Sequence, residues 1–179
     1  MRSPQSFLLW FVIVGIAAAI AHFSGKFDTQ APAPPPIQGA PLSGRARVID
    51  GDSIVVGGRT IRIFGIDAPE GRQDCRDKNG LSYGCGRIAS RALTELIGNR
   101  AVTCAAVDHD QYERDVATCA VEGRDLGDAM VRAGHALDYT RHSRGRYAAA
   151  EREARDAKRG VWQGQFDDPA DWRRKNNQR

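Results

Sequence analysis

The chain has 179 residues, 41% of them hydrophobic and 27% charged. These values fit one globular domain plus an appendage and exclude a long array of domains. The formal net charge of +4 is compatible with a polyanionic partner without requiring one, and four cysteines lacking any CxxC pair exclude a zinc centre of the usual spacing.

In chain order, the first element is an uncharged apolar run, Phe7 to Ala21, preceded by Arg2. It reads as a signal peptide, with Ala19-Ile20-Ala21 as a small-x-small cleavage site, or as an uncleaved anchor with Arg2 held inside. Gln30 to Pro41 (QAPAPPPIQGAP) has the composition of an extended, semi-rigid spacer. The expected organisation is therefore residues 1–25 as signal peptide or membrane anchor, 26–42 as proline-rich linker and 43–179 as the folded domain. Both readings of the N-terminus export that domain, leaving it anchored facing the periplasm or released as a periplasmic or secreted protein. Cys75, Cys85, Cys104 and Cys119 all fall within it, and an oxidising compartment favours two disulfides. Of the three possible pairings, Cys75–Cys85 and Cys104–Cys119 join neighbouring segments.

Arg45 to Ile49, Ser53 to Val56 and Arg59 to Ile66 read as a three-stranded meander. Gly57-Gly58 suits the tight hairpin turn between the second and third strands, and Pro69 ends the third. From Arg87 to Ile97 the apolar period becomes helical, with Ala89, Ala92, Leu93, Leu96 and Ile97 in one stripe and Gly98 as cap. Two more strand-like runs follow, Ala101 to Val107 and Val116 to Val121, joined by the polar turn Asp108 to Asp115. Leu126 to Ala133 and Arg144 to Arg159 read as helices, stopped by Gly134 and Gly160. The order βββαββαα predicts an α+β domain whose five strands close into a small OB-fold-like barrel with about three helices.

Three carboxylates bracket the meander: Asp52 after the first strand, then Asp67 and Glu70 at the end of the third. Neighbouring strands would bring them to one end of the sheet, where a hard cation finds the oxygen ligands it requires. Arg62, five residues before Asp67, and Arg114, in the turn between the fourth and fifth strands, are candidate phosphate-gripping guanidinium groups. Taken singly, Arg62 reads rather as a surface ion pair and Arg114 as a solvated turn residue. The arginine-rich end, Trp172-Arg173-Arg174-Lys175, reads as a solvated, frayed tail. His109, His135 and His142 show no ligand-like arrangement.

The joint order of several motifs is more specific. Val48-Ile49-Asp50-Gly51-Asp52-Ser53 and Arg62-Ile63-Phe64-Gly65-Ile66-Asp67-Ala68-Pro69-Glu70 resemble the signature of the staphylococcal nuclease (thermonuclease) family. Tyr112-Glu113-Arg114, Asp125 to Gly134 (DLGDAMVRAG) and Ala154 to Trp162 (ARDAKRGVW) extend the resemblance over roughly residues 44 to 166. It implies a calcium-dependent nuclease acting on DNA and/or RNA as a monomer, in contact with a membrane only through an uncleaved N-terminus. Asp52, Asp67 and the backbone carbonyl of Ala68 would be calcium ligands, with Asp50 in support. Glu70 would activate or orient the attacking water, and Arg62 and Arg114 would grip the scissile phosphate. Tyr112 and Tyr139 would pack around the nucleotide, although each also reads as an ordinary core or surface tyrosine. Two departures stand out: Ala68 replaces a threonine, and Glu113 replaces a glycine and puts negative charge beside Arg114. The competing functional readings are a non-catalytic single-stranded nucleic-acid-binding barrel, which would be expected to have lost these acids or arginines, and a structural protein of the cell envelope.

Overall fold

The computed structural model describes residues 40–176. The expected signal peptide or anchor, and most of the linker, lie outside the described residues. Among the described residues, no helix is long and apolar enough to cross a membrane.

Five strands form the barrel: β1 (Leu42–Val48), β2 (Ser53–Val56), β3 (Arg59–Ile63), β7 (Ala101–His109) and β8 (Asp115–Val121). β1 pairs antiparallel with both β2 and β7, β2 with β3, and β7 with β8. A parallel pairing of β3 with β8, Arg62 opposite Val116, closes the ring. Closure removes the unpaired strand edges of an open sheet. β8 shows the underlying alternation: Asp115, Ala117, Cys119 and Val121 face inward, and the residues between them are half-exposed. Gly57 and Gly58 turn β2 into β3 at φ angles of 58° and 80°, the left-handed pair that a two-residue hairpin of the favoured hand needs. β1 begins at Leu42, earlier than the run from Arg45 suggested, because Leu42 to Arg45 pair with Ala101 to Cys104.

Helix α1 (Cys85–Ile97) covers the barrel with Ala89, Leu93 and Ile97, spaced four apart so that they share one face. Helix α2 (Leu126–Arg132) adds Leu126, Met130 and Val131 to the same core as Ile54, Ile61, Ile63 and Val102. Its N-cap is Asp125, whose carboxylate accepts the Asp128 N–H at 3.1 Å.

Other elements depart further from the sequence reading. The third strand does not run unbroken to Ile66. It leaves the barrel at Gly65, whose φ is 73°, and resumes as β4 (Ile66–Asp67), paired with β9 (Leu137–Asp138) instead of a barrel strand. Arg62 and Asp67 therefore sit on different strands. A Cβ at Gly65 would also lie 2.9 Å from Cβ of Ser143, so this glycine admits helix α3 (Thr140–Ser143) against the barrel. The helix expected over Arg144 to Arg159 is shorter, starting only at α4 (Ala148–Asp156), because Arg144 caps α3 in a left-handed conformation at φ 54° and Gly145 follows at 82°.

A short hairpin of β5 (Cys75–Arg76) and β6 (Ser82–Tyr83) precedes α1. Trp172 to Lys175 are not a frayed tail: they lie within helix α5 (Pro169–Asn176), which follows a 3₁₀ turn at Gly160–Gln163. Both disulfides join the expected pairs, Cys75–Cys85 beside the hairpin and Cys104–Cys119 between directly opposed residues of β7 and β8. They close sequence separations of 10 and 15 residues, and loops of that size restrict the unfolded chain by about 3 kcal/mol each in the chain-entropy description. Reduction with excess thiol is therefore expected to lower the thermal midpoint by several degrees or more. A midpoint indifferent to thiol would show that these crosslinks carry no stability.

Candidate active site

The site forms where β3, β4 and the loop after β4 meet at one end of the barrel. Asp52 stands just before β2, and its neighbour Asp50 folds the loop by accepting the Asp52 N–H at 3.1 Å, a local turn that aspartate favours. Asp52 and Asp67 are only 4% and 2% exposed, and burying two like charges side by side demands cationic partners. Arg62 supplies the shared one. Its Nη1 donates to Asp52 Oδ1 at 2.9 Å and its Nη2 to Asp67 Oδ1 at 2.7 Å. The Ala68 N–H reaches Asp52 Oδ2 at 3.0 Å, and the Ser53 hydroxyl reaches Oδ1 at 3.0 Å. Burial, more than the neighbouring acids, pushes the Asp52 carboxyl up to about 7 against the opposing pull of Arg62.

Glu70 is placed by buried backbone. Its N–H donates to Oε1 of Gln73, a side chain with no exposure, and its carbonyl accepts the Gln73 N–H at 2.7 Å. Arg114 is gripped by Asp110, whose Oδ2 lies 2.7 Å from both Nε and Nη2. Although burial works against it, Asp110 is held below the usual carboxylate range by the Arg114 and Tyr112 N–H donors and the Arg114 charge. Arg62, Glu70, Arg114, Tyr112, Tyr139 and Arg173 line one open cavity of about 660 Å³, large enough for a nucleotide-sized group. Tyr112 is 70% exposed, with the Arg114 guanidinium 5.5 Å from its ring centre. Tyr139 precedes α3 and packs its ring 4.9 Å from that of His142.

The structure thus gathers Asp52, Arg62, Asp67, Ala68 and Glu70 at one end of the barrel and sets Arg114, Tyr112 and Tyr139 around the same cavity. The four cysteines are away from it, in the disulfides already described. Two residues of the site escaped the sequence reading. Gln73 offers no motif. Arg173 was visible only as one of a basic run, yet its Nη1 and Nη2 meet the two oxygens of Asp67 at 3.0 Å each, and Nη1 meets Glu70 Oε1 at 2.7 Å.

Among the described residues, no group of three or more His, Cys, Asp or Glu side chains is placed to hold a metal ion. A cation here would rest on two carboxylates, backbone and non-protein oxygens. That all-oxygen donor pair, bridged by Arg62 and met by Arg173 at Asp67, suits a hard divalent ion and not a thiolate- or imidazole-seeking one.

A family model described as "Staphylococcal nuclease homologue" matches residues 60–164, more than half of the chain. Among relatives, the chain is 35% identical over 127 residues to "Succinoglycan biosynthesis protein ExoI" of Rhizobium meliloti (strain 1021), covering 70% of this chain and 66% of that protein. It is 35% identical over 125 residues to "Probable staphylococcal-like nuclease CAN3" of Oryza sativa subsp. japonica, covering 69% of this chain but 30% of the relative. A match to "Uncharacterized endonuclease" of Escherichia coli O157:H7 is 34% identical over 134 residues, with 71% and 81% covered.

Proposed function

Because the chain belongs to the staphylococcal nuclease family, we propose that it hydrolyses phosphodiester bonds of DNA and/or RNA with the aid of calcium, outside the cytoplasm. The observation that carries this reading is the meeting of Arg62, Glu70 and Arg114 around one open cavity, with Asp52 and Asp67 buried against Arg62. The two disulfides fit an oxidising compartment.

Asp52, Asp67 and the Ala68 carbonyl would hold the calcium ion. When bound, it supplies positive charge close to the phosphorus, where negative charge grows in the transition state. The chain's own groups do the rest. Arg62 and Arg114 donate planar N–H forks to the non-bridging phosphate oxygens, in positions already set by carboxylates, so little reorganisation is needed as charge develops. Asp110 engages Nε and Nη2 of Arg114 and leaves its Nη1 donors for a phosphate. Glu70, with its backbone fixed from both sides by Gln73, takes or holds the proton of the incoming water. Tyr112 and Tyr139 offer ring faces to a base, a contact that tolerates any sequence.

The test is digestion of nucleic acid by the purified protein with calcium, with a chelator, and with a Glu70→Gln variant. The chelator is expected to abolish cutting, and the variant to lower kcat by about 10²–10³ with substrate binding retained. Cutting unaffected by both changes would rule out this mechanism. Binding without any cutting by the unmodified protein would favour the non-catalytic barrel instead.

A further inference from the structure

The same site contains a cation of the chain's own. Arg173 reaches it from α5, and α5 is fastened in place. Gln73 donates to the Asp167 carbonyl at 2.7 Å, the backbones of Arg76 and Gln165 exchange hydrogen bonds at 2.8 and 3.0 Å, and Lys175 pairs with Asp167 at 2.9 Å. Pro169 is buried, and Phe166 packs edge-on against Trp162. Gln73 thereby contacts both the backbone of Glu70 and the lead-in to α5, so the two groups that meet through Arg173 share one buried support.

The pairing is selective. Arg62 reaches only Oδ1 of Asp67, whereas Arg173 takes both oxygens in a fork and adds Glu70. These are the oxygens that the calcium reading assigns to a metal ligand and to the water-activating base. A guanidinium and a divalent ion cannot share them at full strength: both need the same lone pairs, and two cations in contact repel. We propose that Arg173 is a tethered counter-ion of the cation site. It holds Asp67 and Glu70 in place, and a divalent cation gains Asp67 only by displacing it.

Tethering decides the strength of this competition. A competitor built into the fold stays at a high effective concentration and cannot be diluted away. It therefore lowers the apparent cation affinity at every protein concentration. Arg173 also keeps Asp67 and Glu70 apart in charge until a cation arrives, which spares the fold an uncompensated buried carboxylate. Once displaced, its guanidinium remains at the cavity wall. This inference rests on the calcium reading of the site and adds to it the group that sets the affinity.

The experiment is calorimetric titration of the full chain with calcium chloride, without nucleic acid, for the unmodified protein and for Arg173→Gln, Arg173→Lys and Arg174→Gln. Arg174 pairs instead with Asp171 on its own helix. Arg173→Gln is expected to bind calcium about tenfold more tightly, the size expected for losing one competing charge-assisted contact. Arg173→Lys should fall between, keeping the charge without the fork, and Arg174→Gln should match the unmodified protein. A gain in affinity separates competition from a merely structural role, since damage to the fold lowers affinity. Equal or weaker binding by both Arg173 variants overturns the displacement while leaving the calcium reading intact. Failure of every chain to bind calcium overturns both.

Discussion

Replacing Arg62 with methionine is expected to cost about 3 kcal/mol of folding stability, at the lower end for breaking a buried ion pair. It should also slow cleavage by about 10²–10³. The arginine side chain is 19% exposed and its two partners 5% and 3%, so solvent screens little of the interaction. Without it, Asp52 keeps only the Ser53 hydroxyl and the Ala68 N–H, while Asp67 keeps Arg173. The remaining pairing of Asp67 holds the loss below the upper end. The rate falls for a separate reason, since the phosphate loses one of its two planar forks. Arg62→Lys should recover part of the stability, because a charge returns, and little of the rate, because the fork does not. Urea denaturation in the presence of a chelator isolates the stability change, and digestion assays with calcium isolate the other. A methionine variant within 1 kcal/mol of the unmodified protein would show that Arg62 does not hold the two carboxylates together.

Gly86→Ala is expected to destabilise the protein by about 1–3 kcal/mol, as overpacking of a tight interior does. Its activity should fall by about 10² because the geometry at Glu70 is displaced. A glycine-to-alanine change within a helix ordinarily stabilises by about 1 kcal/mol, so the two considerations have opposite signs. Distance decides between them. A Cβ at Gly86 would lie 1.7 Å from the Glu70 carbonyl oxygen and 2.5 Å from its carbon. Both are backbone atoms that no rotamer change can move. The start of α1 and the Glu70 loop must therefore separate by more than 1 Å, which disturbs the Gln73 hydrogen bonds on both sides of Glu70. Thermal melting and steady-state kinetics read the two effects. A more stable variant of undiminished activity would mean that α1 does not fix the position of Glu70.

Much of the barrel was legible because its signals are local. Alternation marks β8, a Gly-Gly pair marks the β2–β3 turn, and a four-residue period marks α1. Asp52, Asp67 and Glu70 could be singled out because each stands at the end of a strand, where a closed sheet brings distant segments together. The break in the third strand leaves a single local trace, Ile66 falling out of phase with the alternation of Ile61 and Ile63. Only the docking of α3, and the pairing of Ile66 with Asp138, divert it. Arg144 is ordinary in sequence, and the left-handed turn it adopts is what delays the start of the expected long helix. Arg173 carried no local signal of its role. The carboxylates it meets are more than a hundred positions earlier in the chain, and the buried amide of Gln73 that steadies the connection belongs to no motif.

Arg173 and Asp67 are separated by 106 residues, and this has a consequence for the order in which the molecule is made. A ribosome produces the N-terminal part of a chain first, so Asp52, Asp67 and Glu70 exist long before their last partner. Contacts so distant in sequence form late, after the nearer ones have shortened the path between their ends. Until α5 emerges, three acids stand at the mouth of a nascent barrel with Arg62 as their near companion. Maturation of this corner thus awaits helix α5, and products that stop short of residue 173 carry it incomplete.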